Sequence, residues 1–169
     1  MTPDRDIFRF PVEAYEVLRT LEAAGHEAYF VGGCVRDSVM GRLINDIDIA
    51  TSARWEETAS ACQAAGMRAH ETGVKHGTVT IVAGQHGFEV TTYRVDSATS
   101  ADARHPDSVV FVSSIEEDLA RRDFAMNAMA WHPERGLVDP HRGMDDIRAG
   151  VIRVVGEPVQ RFREDALRI

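Results

Sequence analysis

A glycine pair followed by two alternate aspartates constrains this chain more than any other feature. Val31-Gly32-Gly33-Cys34-Val35-Arg36-Asp37, then Gly41-Arg42 and Asp46-Ile47-Asp48, bring a permissive turn, a fixed cation and two carboxylates close together in sequence. Side chains alternate along a strand, so Asp46 and Asp48 fall on one face, where their charges repel unless a divalent cation neutralises them. Gly32 and Gly33 let the backbone approach a phosphate, and a helix beginning near Cys34 directs its free N–H groups and Arg36 at the same anion. Together these describe a metal-dependent site for a nucleoside triphosphate. A lone Asp-x-Asp or Gly-Gly would describe only a strand edge or a turn.

The 169 residues suffice for one domain with a real core and the beginning of a second. No apolar run is long enough to span a membrane, and Asp4, Arg5, Asp6 and Arg9 interrupt any signal-peptide core, so a cytoplasmic protein is expected. Cys34 and Cys62 lack metal-ligand spacing and read as small buried hydrophobes. A net charge of -8 argues against strong nucleic-acid binding by this segment alone, because phosphate affinity is built from Lys and Arg. Of its 19 basic residues only Lys75 is not arginine, which reflects coding bias or the use of some arginines as forks for phosphates and bases.

Pro11, the apolar stripe Val12, Tyr15, Leu18 and Leu21, and Gly25 predict an amphipathic helix. A strand over 27–31, a helix over 34–40 and a strand over 46–51 follow, the last carrying both aspartates. Ser52 opens a helix to about residue 65, and strands 78–83 and 88–94 flank a turn at 84–87. Residues 95–108 are polar and form the one long loop, a substrate-facing or disordered element. A short strand at 109–112 precedes a Ser114-x-x-Glu117 capping box and a helix through Arg121 and Arg122 toward Trp131. A helix over 139–150, a strand over 151–155 and a helix from 158 onward complete the chain.

On that long helix Arg122, Asp123 and Asn127 share either a ligand-binding face or an ordinary charged surface. Glu89 points away from Phe88 and Val90, as a third carboxylate beside Asp46 and Asp48 or as a solvated strand residue. His76, beside Lys75 and Gly77, approaches a phosphate or belongs to a simple turn. Asp165 and Arg168, at i,i+3, form a surface ion pair or a base reader. As a reader, an acceptor beside a donor matches the amino group and ring nitrogen of cytosine or adenine and mismatches guanine and uracil.

Gly32-Gly33-Cys34-Val35-Arg36-Asp37 through Asp46-Ile47-Asp48, Arg121-Arg122-Asp123-Phe124-Ala125-Met126-Asn127-Ala128, and Glu164-Asp165-Ala166-Leu167-Arg168 resemble three ordered motifs of the bacterial-type (class II) tRNA nucleotidyltransferase and poly(A) polymerase family. Lys75-His76-Gly77-Thr78-Val79 and Glu89-Val90-Thr91-Thr92-Tyr93-Arg94 resemble its intervening strands. The resemblance implies an α+β fold of the polymerase-β-like kind, a mixed sheet flanked by helices, with a catalytic head over 1–141 and the start of a truncated helical neck over 142–169. It implies that Asp46 and Asp48 are catalytic and hold two Mg²⁺, that Gly33, Arg36 and Arg122 bind the nucleotide, and that Asp165 and Arg168 read the base. It also implies CCA addition to tRNA from CTP and ATP, with tRNA gripped mostly by regions beyond residue 169. Whether this segment catalyses by itself stays open, as do poly(A), CC-only and A-only addition. A non-catalytic nucleotide-binding module is a separate alternative, as is a sugar transferase, which leaves the Asp165/Arg168 pair unexplained.

Overall fold

In a computed structural model, residues 5–96 and 109–164 are described. The first helix, α1 (Val12–Ala23), forms where its apolar spacing places it, burying Ala14, Val17, Leu18 and Leu21 and leaving Pro11 at its start. Strand β1 (Ala28–Val31), helix α2 (Gly33–Val39) and strand β2 (Asp48–Thr51) follow, then helix α3 (Trp55–Ala64) and strand β3 (Arg68–Gly73). Strands β4 (Thr78–Ala83) and β5 (His86–Thr92) form a hairpin, and β6 (Arg94–Asp96) pairs with β7 (Val109–Phe111) in a separate ribbon. Helix α4 (Ile115–Ala120), strands β8 (Ala130–His132) and β9 (Gly136–Val138), and helices α5 (Gly143–Ala149) and α6 (Pro158–Glu164) complete the described chain.

The main sheet runs β3-β4-β5-β2-β1-β8-β9 and is mixed. Its one parallel pair is β2 with β5, while the other neighbours are antiparallel. Period-2 alternation divides the apolar side chains between two faces. Phe30, Ile49, Val79, Ile81, Phe88 and Val90 join α1 and Cys62 of α3 in the larger core, where Trp131 stacks on Phe8 at 4.5 Å. Tyr29, Val31 and Ala50 face the other way and pack with Ile115 and Leu119 of α4. The same alternation puts Asp48 and Glu89 on the α4 face. Among the described residues no helix is long and apolar enough to cross a membrane.

Several boundaries differ from expectation. Strand β2 begins at Asp48, so Asp46 lies in the connection before it rather than on the strand. Ser52 does not open α3. Its hydroxyl accepts from the Glu27 N–H at 2.9 Å, while Glu57 accepts from the Arg54 N–H at 2.8 Å at the true helix start. The hairpin turn is tighter than expected, Ala83 pairing with His86, and Arg94 leaves the hairpin for the ribbon. Of the long polar loop, residues 97–108 lie outside the described residues.

The largest difference concerns the helix expected to run to Trp131, because α4 stops at Ala120. Ser114 does not close a capping box; its hydroxyl bonds the Glu116 carboxylate at 2.7 Å. Beyond α4 the backbone pairs with the 153–155 segment. The Ala125 N–H donates to Arg153 O and the Val155 N–H to Asp123 O, both at 2.8 Å, around a Phe124–Val154 bridge. The strand expected over 151–155 is reduced to that bridge. A 3-10 turn, Ala125–Asn127, leads on to β8.

Candidate active site

The site assembles at the end of the sheet where β1 runs into α2. Gly32 takes φ 72° and ψ −132°, a conformation closed to L side chains, and its N–H donates to Met129 O at 3.1 Å. Its carbonyl accepts from the Val35 and Arg36 N–H groups and starts α2. A Cβ at Gly32 would come within 3.1 Å of Arg122 Nη1, and one at Gly33 within 3.6 Å of Arg36 Nη2. Both guanidinium groups therefore border the glycine turn.

Each is held from behind. Arg36 donates through Nη1 to Asn127 Oδ1 at 2.7 Å and through Nε to Asp37 Oδ1 at 2.8 Å. Asn127 Nδ2 donates to Asp123 Oδ1 at 3.3 Å, and that oxygen also accepts from the Phe124 N–H at 2.7 Å. Asp123 and Asn127 are thus partners across a tight turn and not neighbours on a helix face. Arg122 pairs through Nη2 with Asp118 Oδ2 at 3.1 Å.

The acidic side lies opposite. Asp48 stands in register with Glu89 across the parallel β2–β5 pair, half-buried beside an exposed neighbour. Burial and then the Glu89 charge raise the Asp48 carboxyl above its ordinary range, Arg122 opposes them, and Asp46 adds to the rise. A half-buried carboxylate between two like charges favours either a proton or a cation, and the donor set fits a divalent ion. Among the described residues no three Asp, Glu, His or Cys side chains form a ready-made cage. Mg²⁺ is commonly held without one, by one or two carboxylates completed with substrate phosphates and water.

The structure thus brings Gly33, Arg36, Asp46, Asp48 and Arg122 to one place and sets Glu89 beside them. Asp165 and Arg168 lie outside the described residues. His76 sits in a 3-10 turn, and its carbonyl accepts from Arg94 Nη1. Cys34 is buried against Val31 O, with its thiol pushed up to about 12, so it takes no part as a nucleophile. Asp118 escaped notice in the sequence, although its spacing to Arg122, i,i+4, was a usable signal.

The two glycines have separable roles. Gly32→Ala is expected to cost about 1–3 kcal/mol through its positive φ and its push against Arg122. Gly33→Ala meets ordinary van der Waals spacing and leaves stability nearly unchanged. Thermal melts followed by circular dichroism check this, and equal melting temperatures for the two variants would refute it.

Residues 28–153 match the poly A polymerase head domain model, which covers most of the chain and all of the described site. The chain belongs to this family. The chain is 48% identical over 158 residues to the CCA-adding enzyme of Leuconostoc mesenteroides, covering 94% of its own length and 38% of that protein. It is 46% identical over 164 residues to the CCA-adding enzyme of Lactobacillus helveticus, covering 97% and 39%. It superimposes on the Bacillus stearothermophilus CCA-adding enzyme in complex with CTP with a TM-score of 0.82 at 45% identity, over 93% of this chain and 36% of the other. A tRNA nucleotidyltransferase complexed with a primer tRNA and an incoming ATP analog gives 0.71 at 32% identity, over 90% and 42%. The chain therefore spans under two-fifths of the length of those two curated relatives, and its fold is the expected polymerase-β-like α+β arrangement. Nucleotidyltransferases of this family are generally metal-dependent.

Proposed function

We propose that this chain is the catalytic head of an enzyme that adds CMP and AMP from CTP and ATP to the 3′ end of tRNA, completing CCA. The observation that carries the reading is the pairing of Asp48 and Glu89 in parallel register, with Asp46 beside them, opposite a glycine turn bordered by Arg36 and Arg122. The names of the relatives support the same activity. The name of the matched family, poly A polymerase, makes poly(A) addition the competing reading.

Asp46 and Asp48 would hold Mg²⁺, which when bound neutralises phosphate charge and favours the deprotonated 3′-hydroxyl. The protein's own contribution is positioning. Arg36 and Arg122, each tied to a carboxylate or carboxamide behind it, present fixed forks to the triphosphate, and Gly33 removes the side chain that would keep the backbone from it. The head proper is assigned to 1–141, and residues 142–169 lead into a helical neck whose first helix, α5, lies against the head through Met144. With a net charge of -8, most tRNA affinity is assigned to regions outside this segment, and the enzyme to the cytoplasm.

Incorporation of labelled CTP and ATP into tRNA lacking its CCA end, assayed with this head carried in a full-length protein, tests the reading. Incorporation of ATP alone would replace it with poly(A) or A-only addition, and incorporation of neither would remove it. Base choice is assigned to Asp165 and Arg168. Asp165→Ala and Arg168→Ala are each expected to cost about 1–3 kcal/mol of discrimination, lowering the ratio of CTP and ATP to UTP and GTP incorporation while metal dependence is kept. A lower rate at an unchanged ratio would make the pair structural.

A further inference from the structure

We propose that Asp118 is the positioning residue of the nucleotide site, the group that sets the Arg122 fork against the Gly32 turn. The inference rests on reading that turn as a triphosphate site. Asp118 lies on α4 with its side chain 1% exposed, and both carboxylate oxygens are engaged. Oδ2 accepts from Arg122 Nη2 at 3.1 Å, and Oδ1 accepts from the Arg94 N–H at 3.1 Å and from Arg121 Nε at 3.4 Å. The carboxylate is thereby clamped from the ribbon strand β6, from the end of α4 and from the turn after it. Its place does not depend on a ligand.

Arg122 has no comparable anchor of its own. Its Nε is buried and makes no hydrogen bond among the described residues, and Nη2 is the atom tied to Asp118. The remaining nitrogen, Nη1, is the one that a Cβ on Gly32 would meet at 3.1 Å. One end of the guanidinium thus faces the buried carboxylate and the other faces the turn. Two arginines share this one carboxylate, so the cluster keeps a net positive charge toward the site. Fixing a fork before the ligand arrives removes the entropy that a free arginine would lose on binding.

Isothermal titration of the chain with CTP in the presence of Mg²⁺ tests the assignment. Asp118→Asn keeps the shape and the acceptor for the Arg94 N–H but removes the charge that holds Arg122. It is expected to weaken CTP binding by about tenfold, the scale seen when groups that orient metal ligands are removed. Arg122→Ala should weaken binding at least as much, and Asp118→Asn should then add no further loss. An equal loss in both backgrounds would show a general structural effect and overturn the inference. So would wild-type affinity in Asp118→Asn while Arg122→Ala is weakened. Failure of the wild type to bind CTP would overturn the triphosphate reading and this inference with it. If Asp118→Asn does not fold, Arg122→Lys, a point charge that cannot both pair with Asp118 and reach the turn, should show the same tenfold loss. Wild-type CTP affinity in that variant would equally overturn the inference.

Discussion

With this head carried in a full-length protein, Asp46→Ala and Asp48→Ala are each expected to lower CMP incorporation into tRNA by about 10³-fold or more, the scale of removing a principal electrostatic element from a phosphoryl-transfer site. Near-normal incorporation by either variant would refute the assignment. A stability readout accompanies the loss and does not require turnover. The Asp48 carboxyl is raised in the folded protein by burial and by Glu89, so folding disfavours its ionised form. The contribution of Asp48 to metal-free stability is therefore fullest below the ordinary carboxylate pKa and declines as pH rises from there through the raised value. A divalent cation acts in the opposite sense, binding the ionised form, so its stabilising effect is full above the raised pKa and fades as pH falls through it. Melting curves with and without Mg²⁺ across the acidic range should show this crossover in the wild type and lose it in Asp48→Asn. A melting temperature indifferent to Mg²⁺ at neutral pH would count against the metal site.

Gly143→Ala should be the most destabilising single-methyl addition in the described chain. A Cβ there would stand 2.3 Å from Ala125 O, 2.9 Å from Ala125 C and 3.0 Å from Met126 Cα, all backbone atoms with no flexible side chain to give way. The Gly143 N–H is also committed, donating to Asp139 Oδ1 at 2.7 Å. A loss of about 3 kcal/mol is expected, lowering the melting temperature by about 6–12 °C for a chain of this size. The turn displaced carries Asn127, the partner of Arg36, so CTP affinity should fall with stability. An unchanged melting temperature would mean that α5 is not seated on the head as described.

How much of this protein could be read from its residues depended on how local each decision was. Apolar spacing alone located α1, β4 and β5, because each buries one face and period follows from backbone geometry. Period-2 alternation also placed Glu89 opposite Phe88 and Val90, and the β2–β5 register then set it beside Asp48. Strand β3 gave no such signal. Its residues, Arg68 to Gly73, are mostly exposed and polar, and they are strand only because β4 offers them an edge.

The stretch after Ala120 shows the opposite case most plainly. Its composition permits a helix on to Trp131, yet the 153–155 segment, about thirty residues downstream, bonds its backbone and ends the helix. That distant pairing is what turns Arg122 toward Gly32 and Asn127 toward Arg36. The sequence by itself determined the chemistry available: the glycine turn, the acidic pair and the arginines, since these follow from residue type and near spacing. Only the tertiary structure decided which of those groups meet and which buried carboxylate holds them, because contacts between elements far apart in the chain are set by packing and by the need to satisfy every buried polar group.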